Sequence, residues 1–84
     1  MRVPMIHVKF FASVRERLGL GELELAASTT PVTVAEILAQ VEARTGVSLA
    51  GSHLLAARNQ VHVHLQEPVV DGDEIAFFPP VTGG

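Results

Sequence analysis

One stretch of this chain carries a strong helical period, and the segments on either side of it alternate. After Pro31, Thr33 and Glu36 have the spacing of a capping box, in which each side chain bonds the other residue's backbone N–H. Val34, Ile37, Leu38 and Val41 then fall at i, i+3, i+4 and i+7, an apolar stripe along about three turns of helix. Gly46 can adopt the left-handed backbone that ends such a helix, and Val47 behind it can fold back toward Val41. A helix with one apolar face needs a surface to lie on. In 84 residues that surface must come from the flanking segments.

Those segments read as strands. Ile6, Val8 and Phe10 alternate with His7, Lys9 and Phe11 within Met5–Ala12, the period of a half-buried strand. Ser13 and Glu16 repeat the capping-box spacing with Ser13 as N-cap, and Gly19 stops that helix after little more than one turn. Glu22–Ala27 alternates again, Leu23 and Leu25 against Glu22 and Glu24, so the first two strands form a hairpin. Past the long helix, Leu54–Arg58 is a short apolar run and Asn59-Gln60 a tight turn. Val61, Val63 and Leu65 then alternate with His62 and His64. Asp71-Gly72-Asp73 turns the chain into Glu74–Phe78, and Pro79-Pro80 cannot continue a ladder. This order predicts an α+β domain with one sheet and one main helix packed across it. The first and last strands lie side by side, a β-grasp arrangement. Residues 1–84 form a single domain, with 79–84 as a projecting tail; Met1 and Met5 both remain possible starts.

Composition removes several functions. Hydrophobic residues are 48% of the chain, enough for a core and too many for a disordered tail. The cysteine count is zero, which excludes a disulfide scaffold, a thiolate zinc site, a cysteine nucleophile and sulfur held as a cysteine persulfide. A net charge of −3 without a basic run argues against nucleic acid. No apolar run approaches the roughly 18–20 residues that span a bilayer, and His7 and Lys9 interrupt any leader-like segment, so a cytoplasmic address follows.

The candidate site is the C-terminus. Pro79-Pro80 stiffens the base of the tail, while Gly83-Gly84 strips its tip of side chains. Such a tip can enter a narrow channel in a partner and place the Gly84 carboxylate deep inside it. Strand parity adds a surface. Phe11 falls on the face of His7 and Lys9, and if Phe77 is core then Phe78 is exposed beside the tail, as at an interface. His62 lies on the polar face of its strand and can join that patch. His62 and His64 face the same side, yet nothing else converges on them as a metal site would require, so no metal is expected. Arg15 and Arg58 can steer acidic groups of a partner or stay solvated.

The segment from Asp71 to Gly84, ending Phe77-Phe78-Pro79-Pro80-Val81-Thr82-Gly83-Gly84, resembles the terminal signature of molybdopterin synthase small subunits, in the MoaD/ThiS group of ubiquitin-like sulfur carriers. Val8-Lys9-Phe10-Phe11-Ala12 with Val14-Arg15-Glu16 is similar to the start of that family, and Leu55-Ala56-Ala57-Arg58-Asn59-Gln60 to its central strand and turn. The resemblance implies a ubiquitin-like β-grasp carrier that binds no cofactor directly and has no catalytic side chain of its own. An adenylating enzyme related to ubiquitin-activating enzymes uses ATP to convert the Gly84 carboxylate into an acyl-adenylate. Sulfur from a cysteine desulfurase system displaces AMP, and the thiocarboxylate donates sulfur to cyclic pyranopterin monophosphate in the large synthase subunit. The implied complex is a heterotetramer. Thr82 and Gly83 supply reach and backbone contacts, and Phe11, Phe78, His62 and Arg15 meet the partners, although relatives often carry an apolar residue at the position aligned with His62. The rival assignments are a carrier for thiamine or tRNA thiolation, and a ubiquitin-like modifier joined through Gly84 to lysines.

Overall fold

The computed structural model describes residues 3–27, 30–49 and 53–80. Val81, Thr82, Gly83 and Gly84, the distal part of the expected tail, lie outside the described residues, as does Met1.

Strand β1 (Met5–Phe10) leads into helix α1 (Ala12–Leu18), which returns through Gly19 to β2 (Glu22–Ala26). A two-residue strand, β3 (Val32–Thr33), precedes the long helix α2 (Val34–Thr45). Then come β4 (Leu55–Arg58), β5 (Val61–Val63), β6 (Pro68–Val69) and β7 (Glu74–Phe78). The main sheet has the order β2-β1-β7-β4-β5. Its first and last strands lie parallel at the centre, Val8 opposite Ile75 and Phe10 opposite Phe77, and the outer pairings are antiparallel. The predicted pairing of the first and last strands in a β-grasp arrangement is therefore the observed one.

Helix α2 forms for the reasons its sequence gives. The Thr33 Oγ1 accepts from the Glu36 N–H at 3.2 Å, and Glu36 accepts from the Thr33 N–H at 2.7 Å. Gly46 closes the other end at φ 73°, where its N–H donates to the Glu42 carbonyl. Val34, Ile37 and Val41 are fully buried and face Ile6, Val8, Phe10, Ile75 and Phe77 of the two central strands in one core. The Phe10 and Phe77 rings stack within it, centroids 6.4 Å apart.

Three expectations need correction. Ser13 does not cap α1. The ladder of β1 runs one residue further, the Phe11 N–H donating to the Phe77 carbonyl at 3.2 Å, so Phe11 becomes the N-cap and no side chain caps the helix. That places Ser13 inside the first turn, where its spacing to Glu16 has no capping role. The strand after Asn59-Gln60 stops at Val63, so His64 and Leu65 lie beyond it and His64 does not share a strand face with His62. Strands β3 and β6 form a separate two-stranded ladder that their length hid from any period count.

Candidate functional site

The sheet buries one face beneath α2 and leaves the other open. Register decides what the open face carries. Reading across β1, β7, β4 and β5, Lys9 lies opposite Ala76, Ala76 opposite Ala57, and Ala57 opposite His62. One step toward the strand's C-terminal end, Phe78 lies opposite Leu55, and Phe11 follows Lys9 by two extended residues. One step the other way, His7 lies opposite Glu74 and Glu24. The face thus grades from charged to apolar in the direction in which β7 delivers the chain to Pro79 and Pro80.

At the charged end, His7 stands 3.5 Å from Glu24 and Lys9 3.6 Å from Glu74. Polar contacts this exposed are worth little in stability; they keep that end of the face solvated. At the apolar end, Phe11 is 48% exposed and Leu55 36%, and the small side chains of Ala57 and Ala76 form a low floor between them and the next row. Phe78 is half-buried rather than fully exposed, because the His62 ring leans against it at 5.3 Å between centroids with a 50° tilt. Phe11 keeps the extended backbone of the strand and so points to the face opposite Phe10, and Ala12 after it turns the chain into α1 with a left-handed φ of 53°, a conformation that costs a residue bearing a Cβ about 1–2 kcal/mol.

The structure therefore gathers Phe11, Phe78 and His62 on one face next to the described base of the tail. The Arg15 guanidinium packs over Gly21, where an added Cβ would come within 3.2 Å of it. Among the described residues, no group of three or more histidine, aspartate or glutamate side chains is placed to hold a metal ion. A shallow cleft of about 340 Å³ lies beside Arg58, Asn59, Val61, Val63 and Glu67, and its charged walls are already paired with one another.

That pairing belongs to a cluster which the sequence did not disclose. Asp73, which reads as a turn residue, is 6% exposed. Its carboxylate accepts from the Val70 N–H at 2.8 Å, Arg58 Nε at 2.9 Å and Asn59 Nδ2 at 3.1 Å. Arg58 also donates to Glu67 at 3.0 Å, so it is committed within the fold and does not stand free for a partner. Asn59 completes the knot: its Oδ1 accepts from the Glu74 N–H at 3.0 Å, and its own N–H donates to the Glu74 carbonyl at 2.8 Å. Burial by itself would raise the Asp73 pKa, but the three donors outweigh it and hold the carboxyl below its ordinary value. Its hydrogen bond and charge in turn raise that of Arg58. The available signal was an arginine closing an apolar run, which called for a counter-ion somewhere in the chain.

The ThiS family pattern matches residues 8–84. The chain is 47% identical over 81 residues to the molybdopterin synthase sulfur carrier subunit of Escherichia coli K12, covering 95% of this chain and 100% of that protein. Among solved structures it is similar to small archaeal modifier protein 1 of Haloferax volcanii, with 25% identity, a TM-score of 0.77, and 93% of this chain and 99% of that one covered. It is also similar to a chain in the complex of subunits 1 and 2 of the molybdopterin-converting factor from Helicobacter pylori 26695, with 27% identity, a TM-score of 0.66, and 95% and 99% covered.

Proposed function

Because this chain belongs to the ThiS family, we propose that it is the sulfur-carrier subunit of a molybdopterin synthase and that its reacting group is the carboxylate of Gly84. The observation that carries this reading is the match, at 47% identity and over the full length of the relative, to a molybdopterin synthase sulfur carrier. A free carboxylate is a poor electrophile. Transfer of AMP from ATP onto it, with release of pyrophosphate in an activating enzyme, installs a leaving group. A sulfur nucleophile then displaces AMP and leaves a thiocarboxylate, whose sulfur is a good nucleophile toward cyclic pyranopterin monophosphate. With no cysteine in the chain, covalently carried sulfur has no other plausible attachment point.

The fold suits this task because it needs no cleft of its own. Parallel pairing with β1 fixes β7 at the sheet centre, and β7 delivers Pro79 and Pro80 at the apolar end of the open face. Docking of that face on the large subunit would hold the tail base while residues 81–84 reach into the partner. Phe11, Leu55 and Phe78 supply the apolar contact, and the complex containing the Helicobacter pylori relative supports a large-subunit partner. A cytoplasmic address belongs to the same reading.

Intact mass measured after incubation with activating enzyme, ATP and a sulfur source tests this directly. The chain should gain about 16 mass units as one oxygen becomes sulfur, and a chain lacking Gly84 should gain nothing. An unmodified wild-type chain under those conditions refutes the assignment. The similarity to an archaeal modifier protein favours one rival, in which a lysine amine attacks the adenylate. Lysine-linked adducts in place of the thiocarboxylate would select it. Failure to restore a strain lacking its molybdopterin carrier would point to thiamine or tRNA thiolation instead.

A further inference from the structure

We propose that Lys9 is a self-acylation site: when sulfur is lacking, its amine attacks the Gly84 acyl-adenylate of a second copy and joins the two chains by an isopeptide bond. This rests on the activation of Gly84 proposed above. Lys9 is the only lysine among the 84 residues, so no other side chain offers a primary amine. There is no cysteine to compete with it, and the hydroxyls of the chain are weak nucleophiles unless a base activates them. The fold leaves Lys9 reachable. Val8 and Phe10 on either side of it are buried in the core, whereas Lys9 points to the open face with its side chain 42% exposed. Register sets the short Ala76 beside it on β7 and Glu22 beside it on the edge strand β2. The Glu74 carboxylate stands 3.6 Å away, an exposed contact weak enough for a reacting group to displace.

The step needs no reactant beyond the adenylate. The neutral Lys9 amine adds to the Gly84 carbonyl carbon and forms the C–N bond; the C–O bond to AMP breaks with its electron pair, and one proton passes to solvent. A thiocarboxylate resists the same attack because its negative charge is spread over the acyl group. Linking is therefore confined to the interval between adenylation and sulfur transfer. The donor is a second copy for a geometric reason. Strand β7 runs parallel to β1, passes Lys9 at Ala76 and carries its own chain onward to Pro79 and Pro80. The two prolines favour an extended departing backbone, and only four residues follow them in which to turn back. The tip of another chain has no such constraint, and Gly83-Gly84 lets it approach a sheet surface without side chains in the way. Neither copy of the linked pair then offers both a free tip and an uncovered face.

The test is incubation of the full chain with the activating enzyme and ATP, without a sulfur source, followed by intact-mass measurement and peptide mapping. Wild type should yield a species equal in mass to two chains less one water, with the link mapped between Gly84 and Lys9. Lys9→Arg keeps a positive charge beside Glu74 but has no amine to acylate. It should release pyrophosphate as wild type does and lose the linked species. Addition of a sulfur source to wild type should replace the linked species with thiocarboxylate. Pyrophosphate release without any linked species overturns the inference. So does a linked species that persists in Lys9→Arg, adducts found only on lysines of the activating enzyme, or a single chain less one water, which would mean attack on the chain's own tip. Pyrophosphate release separates the two levels of the argument. If it never occurs, the activation of Gly84 is wrong and the role of Lys9 falls with it; if it occurs and Lys9 stays unmodified, only the inference about Lys9 fails.

Discussion

The two ends of β7 solve opposite problems. At its start, Asp73 collects three hydrogen bonds, and Asn59 binds Glu74 through both backbone and side chain, so the strand is fastened to the β4–β5 turn. At its finish, Phe78 stands half-covered beside Leu55 and His62, and the chain leaves the sheet through Pro79 and Pro80. One end spends its polar groups inside the molecule; the other keeps an apolar surface for something outside it. In the carrier role proposed above, this division would let an anchored strand hold the base of the tail, Pro79 and Pro80, in fixed relation to the apolar surface.

Substitutions along this one strand should expose the contrast. Phe77→Ala, within the fastened and buried part, should cost about 3–5 kcal/mol in urea unfolding, since it empties a fully buried ring site. Asp73→Ala should cost about 1–3 kcal/mol by leaving the Val70 N–H and Arg58 Nε without their acceptor. A loss well under 1 kcal/mol would show that the cluster does not fasten the strand. Phe78→Ala, next to Phe77 but on the other face, should change stability by less than about 1 kcal/mol while weakening large-subunit binding by a hot-spot-sized factor, about 30-fold. Equal losses of stability at Phe77 and Phe78 would erase the distinction between the faces.

Acid sharpens the same contrast. The Asp73 carboxyl is held below its ordinary value of 3.8, so the folded state binds its proton less readily than the unfolded state does. Its contribution is complete above that value and is lost as pH falls through the depressed folded value. Acid unfolding of wild type should therefore be steeper below pH 3.8 than that of Asp73→Asn, while Phe78→Ala should leave the acid profile unchanged.

Much of this was legible in the sequence because it is local. The α2 cap, its apolar stripe and the Gly46 stop are relations within a few residues, and each formed as read. The parity of Phe10 against Phe11, and of Phe77 against Phe78, follows from the two-residue period of a strand. The misreadings share a cause. Ser13 and Glu16 have the right spacing for a cap, but a ladder bond from Phe11 to Phe77, residues far apart in the chain, moved the start of the helix. Asp73 looked like a turn residue because its partners Arg58 and Asn59 lie on another hairpin, and a turn signal is blind to them. Arg58 was left open between solvent and partner for the same reason.

The sequence by itself determined the elements, their buried faces and the absence of thiol chemistry. Only the tertiary structure decided that the free faces of four strands line up as Lys9, Ala76, Ala57 and His62, that His62 leans on Phe78, and that the charged and apolar ends of that face are separated along β7. The physical reason is that side-chain period is a property of one strand, whereas a surface is made by register between strands. Register is set by hydrogen bonds and packing among residues that the chain brings together only when it folds.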